Sequence, residues 1–406
     1  MNTFKLLLAA VLCAACAGFA QAQTDVRFTG STAFRANTHT AITHVLDAGF
    51  TYAYSGSTLG GSTYAIFHGT VGANAVTIKT SWSGSEGGIQ TVSAQLPVLY
   101  YTDAVLGTTG GQGGLGNPVN GGNGDTETPD VAMSDSFQSS SAFFGLYRGH
   151  TYPTLQESAN SPVGIVLFKY LAAKGAPAGL TNVTSQQARD LFSTGVMGLA
   201  MFTGNHADET VSVYATGRDP DSGSRLTELA ECGLGAQATV KHYQPQDASN
   251  NVITTFGGTI DHFAPWPAET VNGIPVSIFN GGYSSGGTLA AAIANFTPAN
   301  TTLVTSAGTN DANNTAIPNG ARELSYCGSF LGGNSSTDYN TVTVLTEGVY
   351  TFWGYEHLYY RSGTSGTVQS TADTVANQLL TTDAPVRLSS MQVSRTTDGG
   401  KVTQNY

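Results

Sequence analysis

The chain is expected to fold as an α/β protein, and three stretches predict it. VRFTG runs through a Gly-Ser turn into TAFRANTHTAITHVLDAG, VSVYATG into RDPDSGSRLTELAECG, and PVSIFNGG into YSSGGTLAAAIANF. In each, a short apolar or alternating run gives way to a turn, and apolar residues then recur at spacings of three and four, the order strand, turn, helix. Strands alternating with helices imply largely parallel sheets.

Taken in order, Phe34, Ala41, Ile42, Val45 and Leu46 share the face of a first helix stopped by Gly49. Thr51 to Thr80 reads as a twisted β-hairpin insertion, with Tyr52, Tyr54, Tyr64, Ile66, Val76 and Ile78 alternating around glycines. Gly107 to Asp125 has no periodicity and reads as a flexible Gly/Asn loop. Thr184 or Ser185 caps a short helix, SQQARDLF, that ends at Gly195.

Composition bounds what such a protein does. The 406 residues allow two domains, each with its own core. Hydrophobic residues make up 40%, with 18 Tyr and 18 Phe, whereas only 11% are charged and 50 are glycine, a folded chain of extracellular cast. A net charge of -11 without any Lys/Arg cluster argues against nucleic acid and anionic lipid as partners.

Residues 1–22 carry a single Lys5, an apolar run from Leu6 to Phe19 and small residues at Ala20 and Ala22, the pattern of a signal peptide cut after Ala22. No later run reaches the roughly 20 apolar residues a membrane helix needs. The mature chain is therefore expected in the periplasm or outside the cell, without membrane insertion. It would keep Cys232 and Cys327, which either form one disulfide or stay as two buried thiols.

The turns carry the chemistry. A helix N-terminus leaves about four N–H groups without intrahelical partners, and oxyanions are their natural occupants. Gly30-Ser31-Thr32 and Ser222-Gly223-Ser224 each open an expected helix, the second preceded by Arg218. Ordinary helix caps use the same residues, so neither turn decides the matter alone.

Their order along the chain does more. FTGSTAFRA, SGSEGGI (Ser83 to Ile89), DVAMSD (Asp130 to Asp135) and RDPDSGS follow one another, with further echoes in LTNVTSQQARDLFSTG, RELSYCGSF and YTFWGYEHLYY. This succession resembles that of the PstS-like phosphate-binding proteins of bacterial phosphate ABC importers. The resemblance implies a two-lobed periplasmic-binding-protein-like fold with a ligand cleft between the lobes. Residues 24–160 and 332–406 would form lobe 1 and 161–331 lobe 2, with crossing strands near Val163 to Phe168 and Glu323 to Gly328. It also implies inorganic phosphate or a related oxyanion as ligand, an ABC permease as partner, a monomer, and neither cofactor, metal nor catalytic residue.

By the same resemblance, ligand contacts fall on Ala33 and Phe34 through backbone N–H, and on Ser85, Asp135, Arg218, Ser222, Gly223 and Ser224. Ala33 stands where the family commonly has Thr, Ser224 keeps the hydroxyl of the usual Thr, and Pro220 replaces an Asp that orients the arginine. A cage of N–H and O–H dipoles can replace a dianion's hydration shell, and Arg218 adds a bidentate charge-assisted pair. Asp135 would accept the proton of hydrogen phosphate and be left unpaired by sulfate, discrimination that in buried polar sites reaches about 10⁴.

Two other classes compete. GYSSG (Gly282 to Gly286) matches a nucleophile elbow at Ser284, with Asp311, Asp338 and His357 following in hydrolase order and His68 in a stretched oxyanion-loop signal. An extracellular structural or adhesive protein could reuse the fold without binding. The eight histidines show no metal-ligand spacing.

Overall fold

In the computed structural model, residues 23–107, 110–271, 274–333 and 338–405 are described. One mixed sheet of 14 strands dominates them. Its central strands are β1 (Thr24–Gly30), β2 (Thr51–Ser55), β3 (Tyr64–Val71), β4 (Asn74–Ser81), β5 (Gly111–Leu115), β6 (Val131–Ser134), β7 (Gly164–Ala172), β8 (Val196–Gly198), β9 (Ser212–Ala215), β10 (Thr301–Gly308), β11 (Arg322–Tyr326) and β12 (Trp353–Arg361). Across the sheet they run β8-β9-β10-β7-β12-β6-β1-β4-β3-β2-β5.

Two strands join the halves of this sheet. The first residues of β7, Gly164 to Leu167, pair antiparallel with Glu356 to Trp353 of β12, and from Phe168 onward β7 pairs with β10. β12 makes the matching exchange, pairing with β6 from His357 onward. The expected crossing strand at Val163–Phe168 thus lies in β7, but the one expected at Glu323–Gly328 does not cross: β11 pairs with the end of β7 and with Asn182–Val183. β12 is the second strand that exchanges partners between the halves of the sheet.

Helices follow the expected turns. α1 (Arg35–Val45) buries Ala41 and Ile42, α2 is Ser85–Ser93, and α3 (Ser185–Thr194) starts in a capping box. In that box Thr184 Oγ1 accepts from Gln187 N at 3.2 Å, while Gln187 Oε1 accepts from Thr184 N at 2.8 Å. α4 (Gly223–Glu231) and α5 (Gly286–Ile293) are capped by Ser222 and Ser285.

Three expectations need correcting. The segment 51–80 is not an appendage: β3 and β4 form the hairpin, and β4 is the parallel neighbour of β1 along Thr24 to Thr29. Within 107–125, Gly111–Leu115 is a strand beside β2, and its Gly111 and Gly113 lie under the rings of Tyr52 and Tyr54, where any Cβ would be within 2.0 and 2.3 Å of ring carbon. Aromatic rings covering glycines leave no side-chain periodicity to read. Finally, the apolar run ahead of α5 forms only a local ribbon, Ile274–Val276 with Glu269–Val271, rather than a strand of the main sheet.

The core continues across β7 and β12 through Phe168, Tyr170, Phe352 and Trp353. Lys169 is wholly buried in β7, where Nζ donates to Asn313 Oδ1 at 3.0 Å, Glu323 Oε2 at 2.7 Å and Gly332 O at 2.6 Å. Three acceptors make a buried ammonium tolerable. Lys169→Met, which strands Glu323, is expected to lower unfolding free energy by about 3–5 kcal/mol, read from urea denaturation. Lys169→Met with Glu323→Gln should recover part of the loss.

Candidate functional site

β1, β4 and β6 are parallel neighbours, so their carboxyl ends lie at one edge of the sheet. The turn 31–34, the start of α2 and Asp135 follow directly from those ends. In the other half, β9 runs parallel to β10, and Arg218 and Asp311 follow at their carboxyl ends. Crevices outside the carboxyl ends of strands are where open α/β sheets bind ligands.

Asp135 is the centre of the constellation, only 1% exposed. Ser85 Oγ, at the first residue of α2, donates a short hydrogen bond to Asp135 Oδ1 and accepts from Asp135 N at 3.1 Å. Ser224 Oγ, in the first turn of α4, donates to Oδ2 at 3.1 Å, and Thr227 Oγ1 donates to the Asp135 carbonyl at 3.2 Å. Burial pushes the Asp135 carboxyl upward, while these two serine hydroxyls and Arg218 hold it down.

Two glycines let the helix mouths meet. A Cβ on Gly223 would lie 1.7 Å from Asp135 Oδ1 and 2.7 Å from Ser85 Cβ. Gly84, the N-cap of α2, has φ +120°, and a Cβ there would meet Asp221 O at 2.3 Å. That carbonyl accepts from Glu86 N at 2.9 Å, so the loop before α4 caps α2.

Arg218 is buried at the same mouth. Its Nε donates to Tyr283 O at 2.8 Å, Nη2 to Ser284 O at 3.0 Å and Nη1 to Thr32 Oγ1 at 3.4 Å. Arg225 donates to Arg218 O at 3.2 Å and to Asn280 O and Oδ1 at 2.7 and 2.6 Å, supporting the Arg218 loop from behind. Arg35 and Asp311 complete the charges: burial lowers Arg35, with Arg218 adding to the shift and Asp311 opposing it. A cavity of about 260 Å³ lies alongside, bordered by Ala33, Phe34, Asn37, Thr309, Asp311 and Tyr339.

The sequence-derived residues therefore fall close together. Ser85, Asp135, Gly223 and Ser224 are in mutual contact, and Arg218 lies within electrostatic reach of Asp135. Ala33 and Phe34 immediately precede α1, but the Phe34 side chain is core, near Gly164. Ser222 Oγ accepts from Arg225 N at 3.3 Å and so serves as helix cap. Thr32, one residue before Ala33, places its hydroxyl against Arg218 Nη1.

Three solved structures of phosphate-binding proteins align with the chain. A chain assigned as a phosphate ABC transporter substrate-binding protein from Clostridium perfringens, with phosphate bound, aligns at TM-score 0.43 and 11% identity over 90% of this chain and 100% of its own. An ABC-type phosphate transport receptor from Vibrio cholerae aligns at TM-score 0.43 and 11% identity over 88% and 98%. A phosphate-binding protein from Stenotrophomonas maltophilia aligns at TM-score 0.36 and 13% identity over 94% and 87%. No family model matches, and no curated protein does.

The hydrolase pattern lacks its setting. Among the described residues no main-sheet strand leads into Ser284, whose carbonyl is engaged by Arg218. His357 is buried on β12 against Phe137 and Tyr359, with Nδ1 3.3 Å from Glu157 Oε2. Cys232 and Cys327 are both free rather than bridged, and Cys327 is exposed, not buried. Among the described residues no cluster has the make-up of a metal site, and no helix is long and apolar enough to cross a membrane.

Several further acids surround the site. Glu86, in the first turn of α2, accepts from Ser136 Oγ at 2.7 Å and Ser141 Oγ at 2.5 Å, and burial raises it to about 7. Burial raises Glu228 to about 8 and Asp398 to about 6. Since the folded chain holds these protons more tightly than the unfolded one, the stability these three groups contribute is fully present below the ordinary carboxylate range and is lost as pH rises through the folded values. Thermal melts are therefore expected to show Tm falling between about pH 6 and pH 8, and Glu228→Gln should flatten the upper part of that fall. A Tm that climbs across the range contradicts the assignment.

Proposed function

We propose that this chain is a secreted or periplasmic solute-binding protein for phosphate or a similar protonated oxyanion, acting without catalysis. The observation that carries the reading is Asp135, a buried carboxylate gripped by hydroxyls at two helix mouths beside Arg218. Thr32 and the first N–H groups of α1 and α4 supply donors for oxyanion oxygens, while the Ser85 and Ser224 hydroxyls, which donate to Asp135, line the site beside them. Asp135 accepts the ligand's own proton. Ala33, Phe34 and Gly223 contribute backbone N–H, and the Ser222 hydroxyl retains its proton for donation while its oxygen caps α4.

In this reading residues 1–22 are removed on export, and 24–160 with 332–406 form one lobe facing 161–331. The protein acts as a monomer that delivers its ligand to an ABC permease. β7 and β12, the strands that exchange partners between sheet halves, are where the lobes would hinge.

Thermal shift against phosphate, arsenate, sulfate and molybdate is the first test, because a ligand of the folded state raises stability by RT ln(1 + [L]/Kd). Phosphate and arsenate are expected to raise Tm and sulfate to have little effect; no shift with any of the four refutes the reading. In titration calorimetry, Arg218→Ala is expected to cost about 2–5 kcal/mol of phosphate binding, because it leaves the ligand's charge unpaired. Arg225→Ala should cost less, acting only through the Arg218 loop. Asp135→Asn should weaken phosphate and narrow its margin over sulfate.

A further inference from the structure

We propose that Glu356 is a further ligand residue of this site: its carboxyl group, kept neutral, donates its O–H to the bound oxyanion. The inference rests on the oxyanion-binding reading above. It adds a donor where the sequence suggests only a strand of core residues.

Position comes first. Gly354 and Glu356 lie two residues apart on β12 and so point to the same face of the sheet. On that face a Cβ at Gly354 would lie 3.1 Å from the Asp135 carbonyl, so the face backs the loop that carries Asp135. Ser31, in the turn that opens α1, donates from Oγ to Glu356 Oε2 at 3.1 Å. Glu356 therefore reaches the mouth of one helix while its strand supports the residue at the centre of the site.

The hydrogen-bond pattern assigns the proton. Glu356 is 0% exposed, and Ser31 is the one hydrogen-bond partner of its side chain among the described residues. An ionised carboxylate buried with a single hydroxyl would cost several kcal/mol, whereas the neutral acid escapes most of that penalty. Burial and the charge on Asp135 both push its pKa well above the ordinary value. Asp135 is the facing charge from the β6 loop; behind it stand Arg218, Glu86 and Asp398. Ser31 already donates to Oε2, so the proton sits on Oε1. Oε1 has no hydrogen-bond partner among the described residues. A buried O–H without an acceptor, next to an anion site, is a donor waiting for the anion.

The two carboxyl groups then have opposite tasks. Asp135, whose oxygens accept from Ser85 and Ser224, accepts the ligand's proton; Glu356 gives a hydrogen bond to an unprotonated ligand oxygen. The bound anion favours the protonated Glu356 still further, so at pH values where the ligand-free protein has lost this proton, binding takes one up from solvent.

Titration of inorganic phosphate into the mature chain tests the donor. Glu356→Met, similar in length without a donor, is expected to lose about ten- to hundredfold in affinity. Glu356→Gln, whose amide can donate, should restore most of it. Difference infrared spectra of wild type with and without phosphate should show a protonated carboxyl C=O band that shifts on binding and is missing in Glu356→Gln. Wild-type affinity in Glu356→Met, a loss in Glu356→Gln as deep as in Glu356→Met, or no change in a protonated carboxyl band each overturns the role of Glu356. Wild type that fails to bind phosphate refutes instead the oxyanion reading on which it rests.

Discussion

The grip of two serine hydroxyls on the buried Asp135 carboxylate is the constraint from which the rest of the structure follows. A carboxylate out of water must have its oxygens satisfied. Here one donor begins α2 and the other lies in the first turn of α4, so two helices entering from different halves of the sheet must bring their N-termini together at one side chain. That junction leaves no room for a Cβ at Gly223 and requires left-handed backbone at Gly84. It also places the loop between Arg218 and Ser222 where its Asp221 carbonyl caps α2.

A chain with only 16 Lys and Arg places several of them inside. Lys169, Arg218, Arg225 and Arg395 are all buried. Arg395 donates to Glu231 at 3.0 Å and stacks on Trp353 with its guanidinium 4.1 Å from the ring centroid. These cations act as rivets between segments distant in sequence, where each has several acceptors. Surface charge does little of that work, since exposed ion pairs contribute roughly 0–1 kcal/mol each.

Much of this was readable from residues, for identifiable reasons. Strand, turn and helix at Val26–Leu46 and Val211–Gly233 have local causes, periodicity and caps, and both formed as expected. The same grammar misled before α5, because a ribbon with 269–271 captured the apolar run. Ser85, Asp135, Gly223 and Ser224, which the structure brings together, were legible because each sits in a short motif at a turn. Glu356 was hidden for the opposite reason: it lies in the aromatic strand WGYEHLYY, where its neighbours signal core. Its one available signal was an acid within a run of buried residues. Arg35 stood within FTGSTAFRA, but only tertiary packing brings it near Arg218 and Asp311.

The two unbridged cysteines differ sharply in surroundings. Cys232 is sealed inside, its thiol driven to about 12 by burial, while Cys327 stands in solvent at a left-handed turn just after β11. Thiolate is the reacting species, so alkylating reagents near neutral pH discriminate strongly between such sites. On the chain without residues 1–22, which carry Cys13 and Cys16, a fluorophore with a maleimide arm would therefore attach at one defined place without any engineered residue, giving a labelled protein whose emission can be followed directly.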